Sequence, residues 1–323
     1  MNQSKLRKRV SAIIPTKNRA VDLDRAVRSV LSQTWKPNEL VIIDQSDSEE
    51  SKNRVSTLAD WPHSGIDLRY VHDRTISGLV EAKKVGVAYS NGDLVFFLED
   101  DVVLQPDYIA QMVEGFEEKP EMMGVCGVVL EMPPRMRYYD RLFHLFHRGM
   151  FRDPRVGVFG NPNAWTKKWI PSTALSGGLS AYRRLVFDRV PFDTVNGFFI
   201  LEDVDFSVRA AREFGQDNFF INTAARLSHL VSPKNRANLY HQYVHKVRTY
   251  ICFYKKNSHQ RLAILSALWL LVGLFLEASF SSVRSRTIDP LGGWVVGIAR
   301  GFAWKIRPEA PSFGRSRGSA GHL

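Results

Sequence analysis

The chain has 323 residues, of which 44% are hydrophobic and 24% charged. That balance excludes a largely disordered protein and leaves enough apolar surface for one large α/β domain, alone or with a smaller appendage. Lys and Arg number 44 against 33 Asp and Glu, a formal net charge of +11, and only two cysteines occur, Cys126 and Cys252, at spacings that exclude a disulfide framework and a zinc finger.

The basic excess lies towards the ends: Lys5, Arg7, Lys8 and Arg9 at one, and Lys246, Arg248, Lys255, Lys256, Arg261, Arg284, Arg286, Arg300, Lys305, Arg307, Arg315 and Arg317 over the last third. Such clusters suit lipid headgroups, phosphates or nucleic acid. Residues 1–8 read as a basic tail. The apolar run that follows, Val10 to Pro15, is too short for a secretory signal and leads straight into domain sequence, which predicts a cytosolic active site.

Val10 to Pro15 reads as a strand, Thr16-Lys17-Asn18-Arg19 as a loop, and Leu23, Ala26, Val27, Val30 and Leu31 as the inner face of a helix. Leu40 to Asp44 is a second apolar run closed by a carboxylate. A third strand is expected at 68–71, a helix from Gly78 to Tyr89, and a fourth strand at 93–98 that ends in Glu99-Asp100-Asp101. Strands alternating with helices predict an open, mostly parallel sheet flanked by helices, whose ligands bind beyond the carboxyl ends of the strands.

Val125 to Leu130 reads as another strand. The segment around Pro133-Pro134-Arg135 and Asn161-Pro162-Asn163, rich in Arg, His and aromatics, reads as a substrate-facing insertion. Ser176-Gly177-Gly178 is a tight loop, and Glu202-Asp203-Val204-Asp205 opens a helical pattern. Residues Leu262 to Leu276 carry no charge and the apolar stretch extends to Val283, so a span and an interfacial helix are both open, with Glu277 costly near a bilayer centre. Trp294 to Trp304 suits an amphipathic surface helix, and the chain after Pro308 a disordered tail. The expected organisation is a catalytic unit over 9–257, membrane-associated helices over 258–306 and a tail over 307–323.

Three acids in a row at a strand end repel one another, and a bound cation relieves that most directly. Mg²⁺ and Mn²⁺ take oxygen ligands, one or two protein carboxylates together with substrate phosphates. The other reading is a solvated acidic turn or a helix cap.

Val10 to Arg19, followed by Ser29-Val30-Leu31-Ser32-Gln33-Thr34, resembles the opening of glycosyltransferase family 2. The resemblance continues in order through Leu40 to Asp44 with Ser46, Ser77-Gly78-Leu79 with Glu81-Ala82-Lys83, Phe97 to Asp101 with Pro106-Asp107, and Leu201 to Asp205, and covers about residues 9–236. Glu99 stands where the family's D-x-D pattern has Asp, and Lys83 where Arg is more common.

The resemblance implies a GT-A fold and an inverting transfer of sugar from a nucleotide-sugar donor, UDP-linked in the first place, to a saccharide or lipid-linked acceptor. It implies Mn²⁺ or Mg²⁺ held by Glu99, Asp101 and His229, and a donor pocket from Pro15, Thr16, Asn18, Arg19, Asp44, Gly78, Lys83, Asp100, Gly177 and Gly178. Asp203 is then the general base and Glu202 orients the acceptor. Arg183, Arg184, Lys234 and Arg236 are further phosphate candidates. Together with the C-terminal region, this predicts cell-surface polysaccharide biosynthesis at the cytoplasmic face of a membrane. A catalytically inactive membrane-tethered scaffold and a nucleotidyltransferase on a similar sheet are the alternatives. A nucleic-acid-binding role, prompted by the basic balance with Tyr138, Tyr139 and Trp165, leaves the strand-end acids unexplained, so no nucleic-acid partner is expected.

Overall fold

The computed structural model describes residues 8–58, 61, 63–131, 142, 144–196, 201–230, 238–258 and 262–307. The tails up to Arg7 and from Pro308 onwards, and with them Lys5, Arg315 and Arg317, lie outside the described residues, as do Pro133 to Arg135, Tyr138, Tyr139, Lys234, Arg236 and Arg261.

In chain order, β1 (Val10–Thr16), α1 (Ala20–Leu31), β2 (Glu39–Asp44), α2 (Glu50–Ser56), β3 (Asp67–His72), α3 (Leu79–Tyr89) and β4 (Leu94–Leu98) form an alternating α/β unit. Every residue of β1, β2 and β4 is buried, as expected for parallel strands covered on both faces, whereas edge strand β3 is partly exposed. Helix α1 turns Leu23, Ala26, Val27, Val30 and Leu31 inward at the spacing of one helical face. Helix α3 crosses β1 and β2 at Gly86, where an added Cβ would stand 2.4 Å from the Ile13 side chain.

The chain continues through β5 (Val102–Leu104), α4 (Tyr108–Glu118), β6 (Gly124–Val129), β7 (Trp169–Pro171), β8 (Leu179–Arg183), α5 (Leu185–Arg189), α6 (Glu202–Phe214) and β9 (Phe219–His229). Strand order is β3-β2-β1-β4-β8-β6-β9-β5, with β7 also pairing β9. The sheet is open and flanked by helices as predicted. Its parallel run is β3-β2-β1-β4, and the other half is mixed, because β8 pairs antiparallel to both β4 and β6, and β5 and β7 pair antiparallel to β9. Of these later strands the sequence reading has β6, as Val125 to Leu130, and not β5 or β7, which have three residues each, too few for a two-residue period to stand out.

Three helices complete the described chain: α7 (Leu239–Asn257), capped by the Asn238 side chain, α8 (Ala263–Ser285) and α9 (Asp289–Ala303). Gly293, Gly297 and Gly301 form one stripe of α9 and bring it against Tyr243, Val247 and Ile251 of α7, where an added Cβ would come within 2.8 Å of a side-chain atom. A second apolar cluster joins this layer to the sheet domain: Phe151, Ala174 and Val204 pack with Val247, Tyr250, Phe253, Leu270 and Leu274. Asp205 helps to dock it, since its carboxylate lies 3.0 Å from Lys256 Nζ, which also reaches Asp193 at 2.6 Å. Cys126 and Cys252 are both free and buried, on β6 and α7.

Candidate active site

The parallel order reverses between β1 and β4, and at that switch point the carboxyl ends of two strands leave a crevice of the kind in which open α/β sheets bind ligands. Thr16 ends β1, and Glu99, Asp100 and Asp101 join β4 to β5. Two further strands deliver side chains to the same place. Strand β8 runs against β4 with Leu98 opposite Leu179, which sets Gly177 and Gly178 beside Glu99. Strand β9 runs against β5 with Val102 opposite His229, which sets that histidine beside Asp101.

The acidic run divides by environment. Asp100 is buried and both its oxygens are engaged: Thr16 donates its hydroxyl at 2.7 Å and Arg19 a guanidinium N–H at 2.9 Å. Burial pushes the Asp100 carboxyl up to about 6 in spite of these donors. Glu99 and Asp101 face His229, whose Nε2 lies 3.2 Å from Glu99 Oε2 and 3.1 Å from Asp101 Oδ1. Hydrogen bonds from His229 to Asp101 and Glu99 push the imidazole up to about 10, so in the metal-free protein it is an imidazolium bridging two carboxylates. One ligand atom from each of the three lies within 4.8 Å of the others. Two carboxylates and one imidazole form a donor set that suits Mn²⁺ or Mg²⁺, so these residues fit such an ion. Asp100 stands outside the cluster as a structural clamp between β1 and β4.

Gly178 is where the backbone must come close. A Cβ there would stand 2.1–2.4 Å from the Glu99 side chain, and one on Gly177 would stand 2.5 Å from both Lys83 Nζ and Glu202 Oε1. Both close approaches are to the site's own charged side chains.

Glu202 and Asp203 open α6. Glu202 Oε1 accepts from Lys83 Nζ at 2.6 Å in an almost fully buried pair, and burial raises the Glu202 carboxyl even though Lys83 opposes it. Asp203 Oδ2 accepts from Arg155 at 2.5 Å and from the Gly177 N–H at 3.2 Å, while Oδ1 accepts from the Val204 N–H at 2.8 Å. Arg155 also grips Asp153 by two nitrogens, at 2.7 and 2.9 Å. Burial alone would lower Arg155, but the two carboxylates outweigh it and raise its pKa well above the ordinary value. The same attraction overcomes burial at Asp153 and holds that carboxyl below its usual range. Arg155 is the site residue the sequence reading missed. It lies inside the segment singled out as substrate-facing, but nothing in Asp153-Pro154-Arg155 marks it as reaching α6.

The other predicted donor residues line the β1 and β2 ends. Asn18 adopts a left-handed backbone conformation, and its N–H donates to the Ser46 hydroxyl at 2.7 Å. Its amide is clamped by Asp47, donating to the carboxylate at 2.7 Å and accepting the Asp47 N–H at 2.9 Å. Asp44 is fully buried, with Oδ2 accepting from the Tyr70 hydroxyl at 2.7 Å and Oδ1 from the Ser46 N–H at 2.9 Å. Burial, reinforced by Asp44, raises the Tyr70 hydroxyl, which keeps it a donor. Gly78, also left-handed, donates its N–H to Gln45 Oε1 at 3.0 Å and opens α3, which carries Lys83. Pro15 lies beside Ile43 in the register of β1 on β2.

Arg183 and Arg184 do not join the site. Arg183 pairs with Leu94 at the opposite end of β4 and donates to the carbonyls of Met122, Phe116 and Pro120, while Arg184 donates to Gly92 O and the Ser90 hydroxyl. Both fasten the opposite ends of central strands β4 and β8, away from the crevice, and the expectation that they meet phosphate is corrected on that ground.

A family model described as Glycosyl transferase family 2 matches residues 11–190, more than half of the chain. Among curated proteins, the chain is 30% identical over 125 residues to the glucosyl-dolichyl phosphate glucuronosyltransferase of Haloferax volcanii, covering 38% of each chain. It is 31% identical over 188 residues to an uncharacterized glycosyltransferase of a Nostoc species, covering 58% of this chain and 55% of that one. It is 22% identical over 236 residues to the O-antigen chain rhamnosyltransferase RfbN of Salmonella typhimurium, covering 72% and 70%. The chain thus spans 38% and 55% of the first two relatives' own lengths. Among solved structures, the mannosyltransferase PcManGT of Pyrobaculum calidifontis, in complex with GDP-Man and Mn²⁺, superposes with a TM-score of 0.58 at 14% identity, covering 92% of this chain and 88% of that one. S. aureus TarS superposes with the same TM-score of 0.58 at 14% identity, covering 91% and 80%. The fold is that of the GT-A glycosyltransferases, and the chain belongs to glycosyltransferase family 2.

Proposed function

We propose that this glycosyltransferase is an inverting, divalent-metal-dependent enzyme that moves a sugar from a nucleotide-sugar donor, a UDP-sugar in the first place, to a hydroxyl of a saccharide or lipid-linked acceptor. The observation that carries this reading is the convergence of Glu99, Asp101 and His229 from the β4 end and β9, with ligand atoms within 4.8 Å of one another. These residues would hold Mn²⁺ or Mg²⁺, which when bound neutralises charge on the departing diphosphate. Pro15, Thr16, Asn18, Arg19, Asp44, Gly78, Lys83, Asp100, Gly177 and Gly178 bind or shape the donor side.

Asp203 is the proposed general base. Its Oδ2 holds Arg155 and the Gly177 N–H, whereas Oδ1 accepts from a single backbone N–H and keeps capacity for the acceptor's proton. As the acceptor oxygen bonds to the anomeric carbon, that carbon's bond to the diphosphate oxygen breaks, the proton passes to Asp203 Oδ1, and configuration inverts. Glu202, fixed by Lys83, orients the acceptor.

The catalytic unit is taken as residues 9–257, with 258–306 associating with the cytoplasmic face of a membrane and 307–323 as a tail. Relatives named as a glucosyl-dolichyl phosphate glucuronosyltransferase and an O-antigen chain rhamnosyltransferase support a role in cell-surface polysaccharide synthesis. A panel of nucleotide sugars with Mn²⁺ or Mg²⁺, read as nucleoside diphosphate release, tests the reaction. Release by the wild type that is lost in Asp101→Ala and Asp203→Ala is expected; pyrophosphate release would indicate nucleotidyl transfer instead, and absence of both release and metal-dependent donor binding would favour an inactive scaffold.

A further inference from the structure

We propose that α8 is an in-plane membrane anchor whose outer face seats in an anionic bilayer with the helix axis along the surface and not across it. This rests on the membrane association proposed above and goes beyond it by fixing how the helix lies. Among the described residues, α8 is the one helix long and apolar enough to cross a bilayer. Length alone permits a span, since 23 residues at about 1.5 Å each exceed the ~30 Å of a hydrocarbon core.

The side contacts of α8 decide against a span. Ala263, Leu270, Leu274, Ala278 and Ser282 are buried against the rest of the protein from the first turn to the last. Gly273 closes on Phe146, where a Cβ would come within 2.4 Å of the ring. Trp269 Nε1 donates to Leu145 O at 2.8 Å, and Trp294 Nε1 of α9 donates to Leu271 O at 3.3 Å. Both carboxylate oxygens of Glu277 accept from Lys246 Nζ, at 2.7 Å for Oε1 and 2.6 Å for Oε2. A transmembrane α8 would have to leave this face and carry an unpaired carboxylate into lipid.

The opposite face has no such covering. Leu265, Leu268, Val272, Leu276, Phe280 and Val283 recur at three- and four-residue spacing and are 46–79% exposed. The exposed charges of the C-terminal segment suit an anionic surface. Arg284, Arg286, Arg300, Lys305 and Arg307 are exposed over 262–307, against one exposed acid, Asp289, because Glu277 is held by Lys246. An uncharged stripe on a segment whose exposed charges are mostly basic matches a bilayer containing acidic headgroups, where apolar burial and headgroup attraction add.

The test uses the full chain and vesicles of phosphatidylcholine with a minority of phosphatidylglycerol, which supplies the negative surface potential. Leu265→Cys, Val272→Cys and Phe280→Cys are labelled with an environment-sensitive fluorophore, the native Cys126 and Cys252 being buried, and depth is read by quenching with brominated lipids. An in-plane helix gives three equal, shallow depths; a deep position 272 between shallower 265 and 280 would overturn the proposal in favour of a span. Leu268→Asp with Phe280→Asp is expected to weaken vesicle binding by about a hundredfold with the thermal unfolding midpoint unchanged. Failure of the full chain to bind vesicles while metal-dependent donor binding persists would overturn the anchor and leave the transferase reading standing. Self-association in vesicle-free buffer that the same double substitution abolishes would assign the face to a second copy.

Discussion

Arg155 reaches the Asp203 carboxylate at 2.5 Å across 48 residues of chain, and its other nitrogens hold Asp153 in a two-point grip. One guanidinium therefore sets the rotamer of the proposed base and ties the first turn of α6 to the segment before β7. Arg155→Lys keeps the charge and loses the fork. It is expected to lower kcat by about 10- to 100-fold with little change in donor KM, read in steady-state kinetics. Arg155→Ala leaves two largely buried carboxylates without their cation, and a cost of about 3–5 kcal/mol in chemical denaturation is expected.

Metal binding at Glu99, Asp101 and His229 must displace the proton that His229 holds in the metal-free protein, where its pKa is pushed up to about 10. Affinity for Mn²⁺ should therefore rise with pH between 6 and 9, each binding event releasing a proton detectable by calorimetry in buffers of different ionisation enthalpy. The sign reverses for the metal-free fold. A histidine whose pKa is raised on folding contributes fully below its unfolded value near 6.5 and loses that contribution as pH climbs towards 10. Metal-free thermal stability should decline over that window, and His229→Gln should flatten the decline while lowering Mn²⁺ affinity by about tenfold or more.

The first half of the sheet was legible because β1, β2 and β4 are buried on both faces and so read as unbroken apolar runs, each ending in the polar residues that form the crevice. Glu99, Asp101 and Asp203 announce themselves as acids at element ends. Their partners do not. His229 is beside Asp101 only because β9 pairs with β5 in one register, and Tyr70 meets Asp44 across the β2–β3 pair. Arg155 depends on a fold-back of irregular chain, and Arg183 and Arg184, which the sequence offers as phosphate candidates, are placed at the other end of β4 by the antiparallel pairing of β8. Strand periodicity reports which face a residue occupies, and pairing between distant strands lies outside it.

Gly178 gives the register of β8 on β4 a functional consequence, since a Cβ there would overlap the Glu99 side chain at 2.1–2.4 Å. Gly178→Ala should displace the Glu99 carboxylate from His229 with little disturbance of the sheet core. A roughly tenfold or larger loss of Mn²⁺ affinity is expected with a stability change within about 1–3 kcal/mol, typical of local overpacking. Metal titration beside a denaturation curve separates the two effects; a loss of fold without a selective loss of metal would contradict the assignment of Glu99.

The Lys83–Glu202 pair offers a test of how burial and charge are balanced beside Gly177. Its side chains are 3% and 9% exposed, and burial raises the Glu202 carboxyl although Lys83 sits 2.6 Å away. Removing the cation with Lys83→Met leaves a buried carboxylate alone, which is expected to cost about 3–5 kcal/mol near neutral pH. Glu202 can escape part of that cost by holding a proton. A carboxyl whose pKa is raised on folding binds more protons folded than unfolded, so stability falls as pH rises above the unfolded value, until the folded group has ionised. The Lys83→Met protein should therefore be closest to the wild type near pH 5 and furthest from it near pH 8, and Lys83→Met combined with Glu202→Gln should remove most of that pH dependence. Denaturation curves at the two pH values check the sign: a deficit in Lys83→Met that is independent of pH would mean that Glu202 is already hydrated in the folded state and that the pair is not a buried one.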